Sequence, residues 1–219
     1  MSDPYYSDEL VEIYHGDALE LLPTIEADVV ITDPPYGIAA TSYRRQPGAV
    51  QYRPIAGDAD TAAARALFEW LPAEMPAAVF GANCFPELLP HPGRWVCWDK
   101  RLTRAADRML GSAFELAWLN TSTGYDQMIR CLHGGVVNAN GHGLKRVHPT
   151  EKPVPMLREL IGVVGGSGVI CDPFAGSGTT LRAAKDLGRR AVGIELDEQY
   201  CEVAAQRMGQ GVLEFGDAS

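Results

Sequence analysis

The sequence predicts an α/β protein built around a mostly parallel sheet. Short apolar runs rich in β-branched residues alternate with longer segments of helical periodicity, which is the pattern of a parallel sheet covered by helices. Two loops rich in Gly and Pro directly follow apolar runs, where such sheets place their ligand sites. With 219 residues, of which 46% are hydrophobic, the chain is long enough for one domain with a sizeable core.

Seven segments are predicted as strands because each is a short apolar run bounded by turn residues. They are Val11–Tyr14, Asp28–Thr32, Ala77–Gly81, Trp95–Trp98, Phe114–Leu119, Gly168–Cys171 and Ala191–Glu195. Four segments with helical spacing are predicted as helices: Ala62–Trp70, Val154–Val164, Thr179–Leu187 and Asp197–Met208. Gly188 follows the third of these helices, in the position where a glycine commonly ends a helix.

Two segments have no sustained periodicity. Residues 39–60 are rich in Gly, Pro, Arg and Tyr and are expected to form a mobile loop, and residues 120–147 are rich in Gly and Asn. Long segments of this kind in a compact domain are usually functional or disordered. Because no linker separates the rest, we expect residues 1–219 to form a single domain.

Composition excludes several classes of protein. There is no apolar run of the roughly 18 residues that a membrane helix needs, and the polar, acidic start of the chain is unlike a signal peptide. The five cysteines include no C-x-x-C pair, which disfavours a disulfide framework or a zinc site and favours a reducing cytoplasm. No cluster of metal ligands is evident.

Overall charge argues against a protein that binds nucleic acid through bulk electrostatics, since the formal net charge is −9. A local basic surface is still compatible with that charge. Candidate residues for phosphate contact are Arg44, Arg45, Arg53, Lys100, Arg101, Lys145 and Arg146. Taken alone, each of these groups is more often an ordinary solvated face than a DNA-binding site.

The first candidate site is the segment D-P-F-A-G-S-G-T-T, Asp172–Thr180, which follows an apolar strand and opens a helix. Glycines at such a turn let a ligand approach the backbone closely, and the helix N-terminus favours negative charge. Glu195, at the end of the next strand, suits the two ribose hydroxyls of an adenosine. A third fingerprint glycine and a G-K-[ST] sequence are both absent, which disfavours a dinucleotide site and a P-loop. The alternative is a structural turn with a surface glutamate.

The second candidate site is T-D-P-P-Y-G, Thr32–Gly37, which also follows an apolar strand. The two prolines fix φ and remove amide donors, so the loop is stiff and its carbonyl groups remain free to accept hydrogen bonds. An amine with two hydrogens needs two acceptors, which the Asp33 carboxylate and the Pro34 carbonyl can supply. Tyr36 offers an aromatic face for a planar base.

These two segments, in this order, resemble the β-class of DNA amino-methyltransferases, in which a D-P-P-Y catalytic segment precedes an F-x-G-x-G cofactor segment. The resemblance extends from about Val11 to Met208. The segment H-P-T-E-K-P, His148–Pro153, matches the family as well. Gly16-Asp17-Ala18 resembles the family's adenine-contacting acid, although the similar Gly211–Ala218 offers Asp217 as an alternative.

The resemblance implies a Rossmann-like, S-adenosylmethionine-dependent methyltransferase fold. The fold would be circularly permuted, with a mostly parallel seven-stranded sheet and one antiparallel edge strand, for which Phe114–Glu115 is the candidate. The implied cofactor is S-adenosylmethionine, with its ribose on Glu195 and Lys152 near its methionine carboxylate. The implied cofactor residues are Asp17, Lys152, Asp172, Phe174, Gly176, Ser177, Gly178, Thr179 and Glu195.

The resemblance also implies a reaction on DNA. A target base would flip out of the duplex and stack on Tyr36. Its exocyclic amine would donate hydrogen bonds to the Asp33 carboxylate and the Pro34 carbonyl, and Pro35 completes the catalytic segment. Asp at the first motif position favours adenine N6 in this family, whereas Ser is more usual for cytosine N4. Residues 120–147, and also 39–60, would read the target sequence. A homodimer and a cognate restriction enzyme are partners that this class allows.

Three other functions remain open at this level. The same chemistry acts on cytosine N4, and on amines of RNA or protein, although protein-amide enzymes more often carry Asn where Asp33 stands. A non-catalytic DNA-binding regulator could retain the fold. Its expected mark is a broken catalytic loop or cofactor turn, and both segments are intact here.

Overall fold

The computed structural model describes residues 3–37, 59–101, 112–121, 123–131 and 151–210. Within these ranges, nine strands form one sheet. They are β1 (Tyr6–Ser7), β2 (Val11–His15), β3 (Val29–Thr32), β4 (Ala77–Phe80), β5 (Arg94–Asp99), β6 (Phe114–Leu119), β7 (Gln127–Arg130), β8 (Ile170–Asp172) and β9 (Ala191–Glu195). The helices are α1 (Ala18–Leu21), α2 (Ala62–Trp70), α3 (Val154–Val164), α4 (Thr179–Asp186) and α5 (Glu198–Gly209).

The strands lie in the order β1-β2-β9-β8-β3-β4-β6-β5-β7. Seven of them are parallel to one another, and β1 and β6 run in the opposite direction. The expected mostly parallel α/β sheet is therefore confirmed, with an antiparallel strand at one edge. That edge strand is β1, however, whereas the predicted candidate, β6, lies inside the sheet between β4 and β5.

All seven predicted strands are present, and two strands were not predicted. β1 has only two residues, which is too few to produce a periodicity. Strand β7 buries only Ile129, so it has no alternating apolar pattern. It is held at the sheet edge by pairing with β5, a long-range contact that the local sequence does not encode.

Helices cover both faces of the sheet, which gives three layers. The apolar faces of α3, α4 and α5 pack on one side, and α1 and α2 pack on the other. Successive residues of the central strands alternate between these two cores, as Val29 and Ile31 on one side and Val30 on the other illustrate. Because both faces are covered, the central strands are continuous apolar runs.

The helix ends follow local sequence signals. Asp197 caps α5, accepting a hydrogen bond from the backbone N–H of Gln199 at 2.9 Å. Gly188, with φ of 66°, follows α4 as predicted. No helix in the described ranges has the length and apolar character needed to cross a membrane.

The strand order places the loops after β3 and β8 side by side, at the carboxyl ends of the strands. Strands β3 and β8 are neighbours, but the chain leaves them in opposite directions, from β3 to β4 and from β8 to β9. Such a switch point opens a crevice at the carboxyl ends of the strands. The sheet therefore brings together two segments, Asp33–Gly37 and Pro173–Gly178, that are far apart in sequence.

Two glycines allow the packing of α4 to be tested. Gly178 and Gly188 both have positive φ, of 75° and 66°. A Cβ at Gly178 would lie 2.7 Å from Cβ of Ala204 on α5, whereas one at Gly188 would have no atom within 4 Å. We expect Gly188→Ala to lower the free energy of unfolding by about 1 kcal/mol, the backbone cost alone. Gly178→Ala should lower it by about 3 kcal/mol because overpacking adds to that cost.

Urea unfolding measures both losses. Equal losses for the two variants would contradict the close approach of α4 and α5 at this point.

Candidate active site

The loops that follow β3 and β8 line the same cavity, which has a volume of about 290 Å³. This is near the lower limit for small-molecule sites in proteins. Further walls come from the loops after β2 and β9, from Phe80 and Tyr200, from the start of α2, and from residues 151–157. The cavity therefore lies at the switch point of the sheet.

Asp33 holds two hydrogen bonds within the protein. The hydroxyl of Tyr36 donates to Oδ1 at 2.5 Å, and the ammonium of Lys152 donates to Oδ2. Pro34 and Pro35 lie between Asp33 and Tyr36 and line the cavity with them. All four predicted catalytic residues are thus at the cavity.

The Tyr36 ring is held by close packing. A Cβ at Gly81 would lie 2.0 Å from Cε1 of Tyr36, so the ring occupies space that only glycine leaves free. On the other side, the Phe85 ring centroid lies 6.4 Å away. This packing fixes the aromatic face beside the cavity.

Lys152 is buried among opposite charges. Its side chain is 5% exposed, and its Nζ also lies 3.4 Å from Oε2 of Glu115 on β6. The other carboxylate oxygen of Glu115 pairs with Lys100. Four charges of alternating sign therefore form a row, from Lys100 through Glu115 and Lys152 to Asp33.

The pKa values in this row reflect burial and pairing. Burial raises the pKa of Asp33, although the Lys152 ammonium opposes that change. Burial by itself would lower the pKa of Lys152, but the two carboxylates outweigh it and raise that pKa. For Glu115, burial is outweighed by the two ammonium groups, so its pKa is lowered.

Asp172 joins the two loops at the base of the cavity. It is 3% exposed, and its Oδ1 accepts a hydrogen bond from the Thr32 hydroxyl at 2.7 Å. The same oxygen accepts the backbone N–H of Phe174 at 3.2 Å. Burial raises the pKa of Asp172 to about 6, against the opposing hydrogen bonds of Thr180 and Thr32.

The glycine turn divides into a cavity side and a packing side. Gly176 has φ of 52° and lines the cavity together with Phe174, Ser177 and Thr179. Gly178 is not among the lining residues. Its contact with α5 indicates that the second glycine of G-S-G serves helix packing.

Glu195 is oriented by two backbone amides. Its Oε2 accepts the N–H of Gly176, and its Oε1 accepts the N–H of Asp197, both at 2.8 Å. Because each carboxylate oxygen has two lone pairs, both oxygens retain acceptor capacity at the cavity wall. Burial raises the pKa of Glu195, with these two amides opposing the change.

Asp17 has a structural role at the cavity wall. It caps α1 and accepts a hydrogen bond from the N–H of Leu19 at 2.9 Å. It also lines the cavity next to Gly16. The alternative residue Asp217 lies outside the described residues.

Comparison with known proteins identifies the family. Residues 98–206, about half of the chain, match the family model of N6/N4-type enzymes described as DNA methylase. The chain belongs to this DNA methylase family. The matched residues include Pro173–Gly178 and begin after Asp33–Tyr36, which the match therefore does not cover.

Two curated relatives match part of this chain. The protein YubD of Escherichia coli (strain K12) is 52% identical over 77 residues, which are 34% of this chain and 34% of that protein. The type II methyltransferase M2.DpnII of Streptococcus pneumoniae is 45% identical over 62 residues, 28% of this chain and 23% of that protein. The matches thus span about a third or less of these relatives.

Solved structures share the fold of this chain. The PvuII DNA methyltransferase, described as cytosine-N4-specific, has a TM-score of 0.65 at 15% identity and covers 97% of this chain and 91% of its own. The M1.HpyAVI–SAM complex has a TM-score of 0.59 at 20% identity and covers 92% of this chain and 100% of its own. At these identities the similarity establishes the methyltransferase fold.

Only two of the candidate phosphate contacts lie in the described ranges. Lys100 follows β5, has 16% of its side chain exposed and is paired with Glu115, so its charge is directed into the protein. Arg101 comes next, and its backbone N–H bonds to Asp99 at 2.9 Å. The others, Arg44, Arg45, Arg53, Lys145 and Arg146, lie outside the described residues.

The sequence assigned no site role to Glu115 or to Thr32, although Thr32 opens the second candidate segment. Their partners, Lys152 and Asp172, are more than thirty positions away in the chain. Only strand pairing brings them together. For Thr32, its place directly before Asp33 was the one available signal. In the described residues, no cluster of three or more metal-ligating side chains occurs.

The raised pKa of Asp172 predicts a pH-dependent stability. The folded chain binds this proton more tightly than the unfolded chain, so the stabilising contribution is complete below about pH 4 and is lost as the pH rises through about 6. Asp172→Asn removes the titration and keeps an oxygen for Thr32. Between about pH 4 and 7, the free energy of unfolding of Asp172→Asn should rise relative to that of wild type by about 2 kcal/mol.

Urea titrations at several pH values provide the measurement, with the exposed Asp3→Asn as the control that should follow wild type. A constant difference between Asp172→Asn and wild type across this pH range would refute the prediction.

Proposed function

We propose that this chain transfers a methyl group from S-adenosylmethionine to the exocyclic amine of a flipped base in double-stranded DNA, with adenine N6 as the target. The observation that carries the proposal is that Asp33–Tyr36 and the cofactor loop line one cavity. A methyl donor and an amine acceptor bound there would touch.

The cavity fits the proposed cofactor. Glu195 has both carboxylate oxygens fixed by amides and still able to accept, which suits a pair of ribose hydroxyls. Gly176 leaves the backbone open at the turn, and Asp17 stands on the wall where an adenine amine would need an acceptor. Phe174 and Leu196 add apolar surface. When bound, the cofactor would supply its sulfonium methyl group. The amine lone pair would bond to the methyl carbon while the carbon–sulfur electron pair returns to sulfur, and the nitrogen would then release one proton.

The catalytic loop would orient the base amine. Asp33 and the Pro34 carbonyl would accept its two hydrogens, which draws the nitrogen lone pair out of conjugation with the ring. Tyr36 would stack on the base. These contacts act through orientation and preorganised charge, and no covalent bond between protein and base is required. Extruding the base costs a few kcal/mol of stacking and pairing.

Adenine is favoured over cytosine by residue 33. An aspartate at the first position of the motif is the usual choice of adenine enzymes in this class. The fold does not decide the base, since the PvuII methyltransferase with the same fold is described as cytosine-N4-specific. N4 methylation of cytosine is therefore the second candidate.

We extend the proposal to the rest of the chain. Residues 1–219 would form one methyltransferase domain, with target recognition assigned to residues 120–147 and 39–60. Because these segments are short, the recognition sequence would be short, or two subunits would share the duplex. A cognate restriction enzyme is the partner proposed for a chain similar to a type II methyltransferase.

A labelling experiment tests the function. The protein is incubated with methyl-labelled S-adenosylmethionine and with duplex DNA, RNA or a protein extract, and each product is digested and separated by chromatography. N6-methyladenine from DNA is the expected result. N4-methylcytosine would retain DNA amine methylation and refute the choice of adenine. Label in RNA or protein only, or DNA binding with no label at all, would refute the proposal.

The Asp33→Ala variant tests the assigned acceptor. We expect the transfer rate to fall by roughly a hundredfold or more, since a preorganised contact to the reacting group is lost. Binding of the cofactor, measured by calorimetry, should be retained, because Asp33 is not among the proposed cofactor residues. The exposed Asp3→Ala is the control. Full activity of Asp33→Ala would mean that the amine acceptor lies elsewhere.

A further inference from the structure

The row of four charges behind Asp33 reaches beyond the cavity. Asp33 and Lys152 line the cavity, whereas Glu115 and Lys100 are not among the residues that line it. Oε2 of Glu115 lies 3.4 Å from Nζ of Lys152, and Lys100 pairs with the other oxygen. Glu115 therefore makes no contact with the cavity, and its ion pair with Lys152 is its link to the residues that line it.

The antiparallel direction of β6 explains why Glu115 lies there. Phe80, the last residue of β4, pairs with Ala117, so the start of β6 extends past the end of β4 toward the cavity. A parallel strand in that position would begin at the opposite edge of the sheet. Because β6 is antiparallel, its first residues lie where the parallel strands have their carboxyl ends, and Glu115 places a carboxylate there.

Lys152 by itself would oppose the proposed reaction. An amine nitrogen that accepts a methyl group gains positive charge, which a neighbouring ammonium destabilises. Paired with Asp33 alone, Lys152 would also neutralise the carboxylate that must accept the amine hydrogen. A second carboxylate on Lys152 offsets both effects, because the ammonium is then shared between two carboxylates.

We propose that Glu115 is a positioning residue for methyl transfer, which holds the Lys152 ammonium between two carboxylates and so keeps the Asp33 carboxylate fixed and able to accept the base amine. This inference rests on the proposed function. In this proposal Lys152 acts on Asp33 of the catalytic loop, in addition to any contact with the cofactor. Lys100 completes the row by pairing with Glu115.

Several described groups face Asp33 and bear on its titration. They come from its own loop, from the segment before α3, from β6, from the end of β8 and from the turn after β4: Tyr36, Lys152, Glu115, Asp172 and Cys84. Among them, the negative charge of Glu115 raises the pKa of Asp33. Its removal should therefore shift the titration of Asp33 to lower pH.

The first arm of the test does not depend on activity. The full chain is prepared as Glu115→Gln, Lys152→Gln and the double variant, and urea unfolding is measured for each. Because Lys152→Gln leaves Glu115 without its buried partner, the double variant should lose less stability than the sum of the two single variants. Additive losses would overturn the inference, whatever the activity.

The second arm measures methyl transfer. Glu115→Gln keeps the shape and removes the charge, and should lower kcat roughly tenfold while leaving the KM for DNA and the Kd for S-adenosylmethionine unchanged. The acidic limb of its kcat–pH profile should move to lower pH. In the Lys152→Gln background, Glu115→Gln should lower kcat by clearly less than it does in the wild-type background. Glu74→Gln, an exposed glutamate before β4, is the matched control and should behave as wild type.

The outcomes separate the two claims. Coupled stability together with a lowered kcat and a shifted pH limb supports the role of Glu115. Coupled stability with wild-type kcat, or with an unshifted limb, overturns that role and leaves the proposed function intact. If the wild-type protein labels no substrate, the proposed function fails and the role of Glu115 in transfer fails with it.

Discussion

The parallel pairing of β3 with β8 is the constraint on which the site depends. The pairing places Val29 beside Ile170 and Val30 beside Cys171, so the two strands end side by side and their loops open on one crevice. The buried hydrogen bond from Thr32 to Asp172 fixes this alignment at the point where both strands end. A shift of one residue would turn every side chain of the strand to the other face, which would change how Asp33–Gly37 meets Pro173–Gly178.

The buried charges behind Asp33 are a second consequence of the sheet. Removing charges from water is costly, so a buried ion pair is weak evidence for stability. Lys152 is nevertheless 5% exposed and paired with Asp33 and Glu115, while its ammonium also lies 4.4 Å from the centroid of the Phe80 ring. Perturbed charges that cluster in a cleft mark functional sites, and here they converge on the residue proposed to accept the base amine.

The two glycines of the turn after β8 have different roles, since one lines the cavity and the other permits helix packing. Gly176 presents its backbone to the cavity, whereas Gly178 permits α5 to approach α4. Gly81 has a comparable structural role for the segment Asp33–Tyr36, because the Tyr36 ring fills the space that a side chain at residue 81 would need. In each case the position demands glycine for a different physical reason, although the sequence motif presents the glycines alike.

The sequence determined the parts of this protein that local physical chemistry encodes. Apolar runs predicted seven strands and four helices, with boundaries within a few residues, because burial on both faces requires continuous apolar strands. The segments Asp33–Tyr36 and Phe174–Gly178 were recognisable because turn chemistry and strand-end position are local. The family resemblance rested on the same segments. Tertiary structure decided what long-range pairing controls. It added β1 and β7, placed β6 inside the sheet, and brought Glu115 to Lys152 and Asp33. No local pattern could predict these contacts, because they arise when strands distant in sequence align at one edge.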